Sequence, residues 1–174
     1  MKKIQEKFWG NIPISKSSKG WRIFPAFLKR LLHAFTRYFP MLPSMRASLH
    51  RWRGVKVGKN VFIGAEVFID DAEPSFVTIE DETTILARST ILGHAYYPKH
   101  FSKILKAAGD KKKVEVKKGA YVGLGCIVLP GVTIGEYSII GAGSIVTKDI
   151  PAYCVALGAP AKVVRKFSKK DLTI

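Results

Sequence analysis

The 174-residue sequence predicts a mainly β protein: a parallel β-helix of six-residue repeats with a helical segment ahead of it and one protruding loop. Three spacings predict this. An aliphatic residue recurs at every sixth position: Val57, Ile63, Ile69, then Ile79, Ile85, Ile91, then Val116, Val122, Val128, Ile134, Ile140, Val146. Four positions after most of these comes a compact residue: Val61, Val67, Thr83, Ser89, Ala120, Cys126, Val132, Ser138, Ser144. A small or acidic residue often follows the aliphatic directly, as at Gly58, Gly64, Asp70, Glu80, Gly123, Gly135 and Gly141. A six-residue unit is too short for a helical repeat and out of step with a heptad. It suits one short strand plus one turn, with β-branched residues on the strand. Three units close a triangular coil. No unit buries its own apolar face, but stacked coils do. The compact residues are expected inside, near corners, and the glycines to supply backbone angles other residues reach at a cost.

Residues 1–54 form a basic, partly helical segment ahead of the repeats. Within it, residues 21–39 read as an amphipathic helix: Ile23, Phe24, Phe27, Leu28, Leu31, Leu32, Phe35 and Phe39 fall at helical spacing. Arg22, Lys29, Arg30, His33 and Arg37 take the other side, and Pro40 and Pro43 break the helix. A second basic stretch, MRASLHRWRG, leads to the first coil. The helix suits two compatible places. It can pack on the prism or cover its open end, or it can lie on an anionic membrane surface. No apolar run is long enough to span a bilayer, and the amino terminus lacks a signal-peptide core and cleavage site. The expected location is the cytoplasm, with peripheral contact at the inner membrane as an option.

Residues 55–166 carry the β-helix, and 167–174 form a tail. The repeat breaks twice, with a small bulge at 70–78 and a longer loop at 92–115. Insertions in a solenoid lie outside, often on its binding face. The long loop holds His94, His100, Tyr96, Tyr97 and a lysine-rich tail, so it is the functional candidate.

A formal net charge of +16 implies attraction to anions without naming which. Neither basic cluster resembles a nucleic-acid reading module. Cys126 and Cys154 make no disulfide framework, and Cys126 occupies an inward repeat position. Zinc chemistry on such a prism needs three imidazoles, and the repeat region offers His94 and His100. No metal is expected.

The segments LPGVTIG, IGAGSIVTKDIP and GAPAKVVR, with the histidine of ILGHAYY ahead of them, follow in a familiar order. Over residues 55–166 the chain resembles the hexapeptide-repeat acyltransferases, above all the galactoside, maltose and nodulation-type O-acetyltransferases and related polysaccharide-biosynthesis enzymes. The resemblance implies a left-handed coil, an exception to the usual right-handed crossover. It also implies a homotrimer with sites between subunits and acetyl-coenzyme A as acyl donor. The acceptor is expected to be a sugar hydroxyl of a cell-surface polysaccharide or its lipid-linked precursor. An amino-sugar N-acetyltransferase and a non-catalytic trimeric scaffold are the alternatives.

By motif match, His94 takes the place of the family's catalytic histidine, a general base suited to neutral pH. Leu124, Ala142, Thr147, Lys148, Lys162 and Arg165 match coenzyme-contact positions, with the three cations facing phosphates. Lys162 stands where relatives often have arginine, and Tyr121 where many have tryptophan. Glu66, Asp70 and Asp71 lie where relatives contact the acceptor, although Asp also forms turns. Tyr96 is a further acceptor candidate.

Overall fold

In the computed structural model, which describes residues 23–95 and 112–172, two helices lead into a prism of short parallel strands. Helix α1 spans Ile23–Tyr38 and α2 spans Pro43–Arg53. The first coil is β1 (Lys56–Val57), β2 (Phe62–Ile63) and β3 (Phe68–Ile69). The second is β4 (Val77–Ile79), β5 (Thr84–Ile85) and β6 (Thr90–Ile91). The third is β7 (Val114–Val116), β8 (Tyr121–Val122) and β9 (Ile127–Val128). The fourth is β10 (Thr133–Ile134), β11 (Ile139–Ile140) and β12 (Ile145–Val146). An antiparallel hairpin of β13 (Cys154–Gly158) and β14 (Ala161–Lys166) follows. Each coil gives one strand to each of three sheets, ordered β1-β4-β7-β10, β14-β13-β11-β8-β5-β2 and β12-β9-β6-β3.

The predicted inward columns form. On the second sheet Ile63 pairs with Ile85, Ile85 with Val122 and Val122 with Ile140, all fully buried. The compact residues are buried too, and their hydroxyls are satisfied by main-chain carbonyls: Ser89 donates to Gly123 at 2.9 Å and Ser138 to Pro151 at 2.6 Å.

The glycines after the aliphatics have a different reason from the expected one. Gly135 has no positive φ, but a Cβ there would lie 2.4 Å from the amide nitrogen of Ala152 in the next turn of chain. Close approach of backbones excludes the side chain. The left-handed conformation falls instead one residue before each compact position. Gly119, Gly125, Gly131 and Gly143 take it, but so do Asn60, Glu66, Glu82, Arg88 and Tyr137.

Between strands, amides of one coil donate to carbonyls of the next: Gly64 to Ile85 at 2.8 Å, Asp70 to Ile91 at 2.9 Å, Leu86 to Val122 at 2.9 Å. The carbonyls of Val57, Ile63 and Ile69 face away from the second coil, where no further coil stands to bond them. Buried carbonyls need partners, and α2 supplies one arginine per sheet. Arg51 donates to Val57 at 2.9 Å and to Gly58, Arg46 to Ile63 at 3.1 Å, and Arg53 to Ile69 at 3.0 Å and Asp70 at 2.9 Å. The basic stretch MRASLHRWRG is thus the lid of the prism. Pro43, expected only to break a helix, opens α2 from its first turn, where a missing N–H costs nothing.

Helix α1 packs with its polar side inward. His33 and Thr36 are buried, the His33 ring stands 4.9 Å from that of Phe68, and Arg37 lies over Phe68 at 5.2 Å. Its apolar side, including Phe27, Leu28, Leu31 and Phe35, faces outward.

Candidate active site

Both breaks in the repeat leave the prism at one corner, between the third sheet and the first. Register partners Glu115 and Thr133 are 18 residues apart. Across the first break Lys56 and Thr78 are 22 apart, and across the second Thr78 and Glu115 are 37 apart. The extra residues follow β3 and β6, which are neighbours in the same sheet. Asp70 opens the first insertion, and Leu92, Gly93 and His94 open the second. Stacking of the two coils brings Asp70 against His94.

His94 Nδ1 lies 2.5 Å from Asp70 Oδ2. The carboxylate is wholly inaccessible, while His94 is 28% exposed. Three amides also donate to Asp70: Gly93 to Oδ2 at 2.7 Å, Ala72 and Glu73 to Oδ1 at 3.0 and 2.8 Å. Burial works to raise the pKa of Asp70 by disfavouring its charged form. The bonds from Glu73, His94 and Gly93 outweigh it and hold the carboxyl below its ordinary value. Asp70 is therefore an anion at neutral pH. It accepts from Nδ1, so a neutral imidazole keeps its lone pair on Nε2, the nitrogen away from the carboxylate. Gly93 belongs to this arrangement: a Cβ there would meet Phe76 Cβ at 3.0 Å and Asp70 Oδ2 at 3.5 Å.

Asp70, expected to contact the acceptor, has no part of its side chain in solvent and faces His94. Glu66 sits at a corner with φ 58 and pairs with Arg88 at 3.3 Å. Asp71, partly exposed, faces Arg30 at 3.8 Å. Tyr96, with Tyr97 and His100, lies outside the described residues. Among the described residues, no group of three or more His, Cys, Asp or Glu could hold a metal ion. The Cys126 thiol is fully buried, donates to Gly141 at 3.1 Å and is pushed up by burial, so it is no nucleophile.

The remaining candidates fall on separate edges of one chain. Thr147 and Lys148 follow β12 on the edge that carries His94, and both are exposed. Leu124 and Ala142 share the edge between the second and third sheets, where Gly143 donates to Leu124 at 2.8 Å. Lys162 and Arg165 project from β14 beside the second sheet, and Tyr121 stands on that sheet's outer face in register with Thr84 and Ile139. A single chain does not gather them into one cleft.

The bacterial transferase hexapeptide model (six repeats) matches residues 113–148. A galactoside O-acetyltransferase of Escherichia coli (strain K12) is 30% identical over 162 residues, covering 82% of this chain and 79% of that protein. The chain belongs to the hexapeptide-repeat acetyltransferases. A galactoside O-acetyltransferase of Lactococcus lactis subsp. lactis (strain IL1403) is 37% identical over 121 residues, 66% of this chain and 56% of that protein. The chain thus spans little more than half the length of that relative. A solved galactoside acetyltransferase in complex with coenzyme A superposes with a TM-score of 0.67 at 25% identity, over 96% of this chain and 92% of that one. This hexapeptide-repeat protein accordingly coils in the left-handed sense of its family. The spacing predicted the coil, and kinship supplied its hand.

Sequence reasoning missed one residue, Arg53, and one pairing, Asp70 with His94. Arg53 holds the main chain of Asp70 from below, and its signal lay hidden in a generally basic stretch. The pairing of Asp70 with His94 did have a signal: Ile69 and Ile91 share one phase of the repeat, and a break follows each.

Proposed function

We propose that the protein transfers an acetyl group from acetyl-coenzyme A to a sugar hydroxyl, with His94 as general base and Asp70 as its positioning residue. The buried Asp70 against a half-open His94 carries this reading. Nε2 takes the proton of the acceptor hydroxyl as its oxygen attacks the thioester carbonyl carbon. The imidazolium is stabilised by Asp70 while charge develops. Collapse of the tetrahedral adduct breaks the carbon–sulfur bond, and the proton passes from His94 to the departing sulfur. The products are the acetyl ester and free coenzyme A, with no acyl-enzyme.

The coenzyme would run along exposed edges of the prism, with Leu124, Ala142 and Thr147 against its arm and Lys148, Lys162 and Arg165 toward its phosphates. These residues stand on different edges, which supports a homotrimer whose sites combine the His94 edge of one copy with an edge of its neighbour. Tyr121, Glu66 and Asp71 remain acceptor-side candidates. The names of the two galactoside O-acetyltransferases support a glycoside acceptor. The wider reading is a step in cell-surface polysaccharide or lipid-linked glycan synthesis.

The test is release of coenzyme A thiol from acetyl-coenzyme A in the presence of free glycosides, nucleotide sugars and lipid-linked oligosaccharides. Sugar-dependent thiol release with an acetyl ester in the product is the expected result. An amide product on amino sugars alone would replace the hydroxyl with an amine as acceptor. Acetyl-coenzyme A failing to bind would sink the reading.

A further inference from the structure

We propose that the outward face of α1 and α2 is a docking surface for an anionic phospholipid bilayer. A helix that belongs to a soluble core buries its apolar stripe. Helix α1 does the reverse: His33 and Thr36 are buried, while Phe27 is 61% exposed and Leu28, Leu31 and Phe35 are exposed beside it. The surface continues onto α2, where Met45 lies beside Phe35 and Trp52, 81% exposed, stands two turns beyond Met45 on the same face. Contiguous exposed aromatic and aliphatic side chains of this kind mark an interaction site.

Charge selects the occupant. Residues 1–54 hold twelve Lys and Arg and one acid, and no Asp or Glu stands between Glu6 and Glu66. A second copy laid on this face would oppose like charge to like. Residues 1–22 carry six of those cations themselves, so covering the face with them adds positive charge to positive. An anionic headgroup layer matches both the unbalanced positive charge of this segment and the exposed apolar face. No helix among the described residues is long and apolar enough to cross a membrane, so the contact is interfacial. Trp52 suits the headgroup boundary, where an amphipathic ring is favoured. This inference concerns the lid of the prism and does not depend on the acetyl-transfer reading.

The full chain is sedimented with vesicles of phosphatidylcholine alone and of phosphatidylcholine with phosphatidylglycerol. Binding is expected only where phosphatidylglycerol is present, and it should weaken as salt rises. The double variant Leu31→Glu, Phe35→Glu should bind at least about tenfold less tightly, since two exposed apolar anchors are lost. Its circular dichroism and oligomeric size should match the parent's. The milder pair Leu31→Ser, Phe35→Ser covers the case in which the first does not fold. An environment-sensitive label on a Met45→Cys variant should be in water before vesicles are added and in an apolar medium after. Unchanged vesicle binding by the variants overturns the proposal. So does a label already in an apolar medium, which would give the face to residues 1–22. A change of oligomeric size with the variants would give it to a second copy.

Discussion

Arg53 donates to the main-chain carbonyl of Asp70 at 2.9 Å, and the side chain of the same Asp70 holds His94. The lid of the prism and the candidate site therefore meet in one residue. Arg53→Met leaves the carbonyls of Ile69 and Asp70 without that donor in a buried place. It is expected to cost about 3 kcal/mol, as for loss of a buried charged hydrogen-bond donor. Acetyl transfer should also fall, through kcat more than through KM, because Asp70 loses its support. Arg51→Met, on the exposed first sheet, should cost about 1 kcal/mol and leave turnover unchanged. Urea denaturation and steady-state rates on both variants check this, and equal effects would separate lid from site.

His94→Ala should lower kcat by about 100- to 10,000-fold, the usual span for a lost general base, while acetyl-coenzyme A still binds. Asp70→Asn keeps the volume but can present an NH2 donor toward Nδ1. It should lower kcat by a smaller factor, about 10- to 100-fold, with KM for the acetyl donor little changed. A variant in which KM alone rises would return Asp70 to the acceptor side.

The core was legible because burial repeats. Val122 and Ile140 meet the same packing demand 18 residues apart, so periodicity reports them. His94 is singled out by the motif it ends. Its pairing with Asp70 is not, because that contact depends on two insertions of different length leaving one corner, which is a three-dimensional coincidence. Arg46, Arg51 and Arg53 were read only as charge, since nothing in a run of basic residues says which ones find orphan carbonyls. The polar-inward setting of α1 was equally hidden: helical spacing identifies two faces but not which one meets the prism.

The two kinds of glycine should respond differently to one methyl group. At Gly135 a Cβ would stand 2.4 Å from a backbone nitrogen that cannot move without parting the coils. Gly135→Ala is expected to cost several kcal/mol, on the order of an overpacked core site or more. At Gly125, φ is +66 and nothing lies within 4 Å of the added atom. Gly125→Ala should cost only the left-handed backbone penalty, about 1 kcal/mol. Thermal unfolding of the two variants compares them directly, and similar losses would contradict the close-approach argument.

Acid should loosen the lid before it affects Asp70. Burial first, then the neighbouring Arg53, lowers His33 to about 4 and His50 to about 3. Nδ1 of His50 faces Arg53 at 2.9 Å, so it accepts and the proton sits on Nε2. A second proton would set donor against donor. Between pH 6.5 and about 4 the unfolded chain binds protons at these histidines and the folded one does not. Stability therefore falls as pH drops through that window. Asp70, also held below its ordinary value, shifts in the same sense and loses its contribution only at lower pH still. Melting temperature measured from pH 7.5 to 4.5 should decline, and His50→Gln, which can still accept from Arg53, should flatten the decline. A flat profile for the parent protein would show that these histidines titrate freely and that the lid is open in solution.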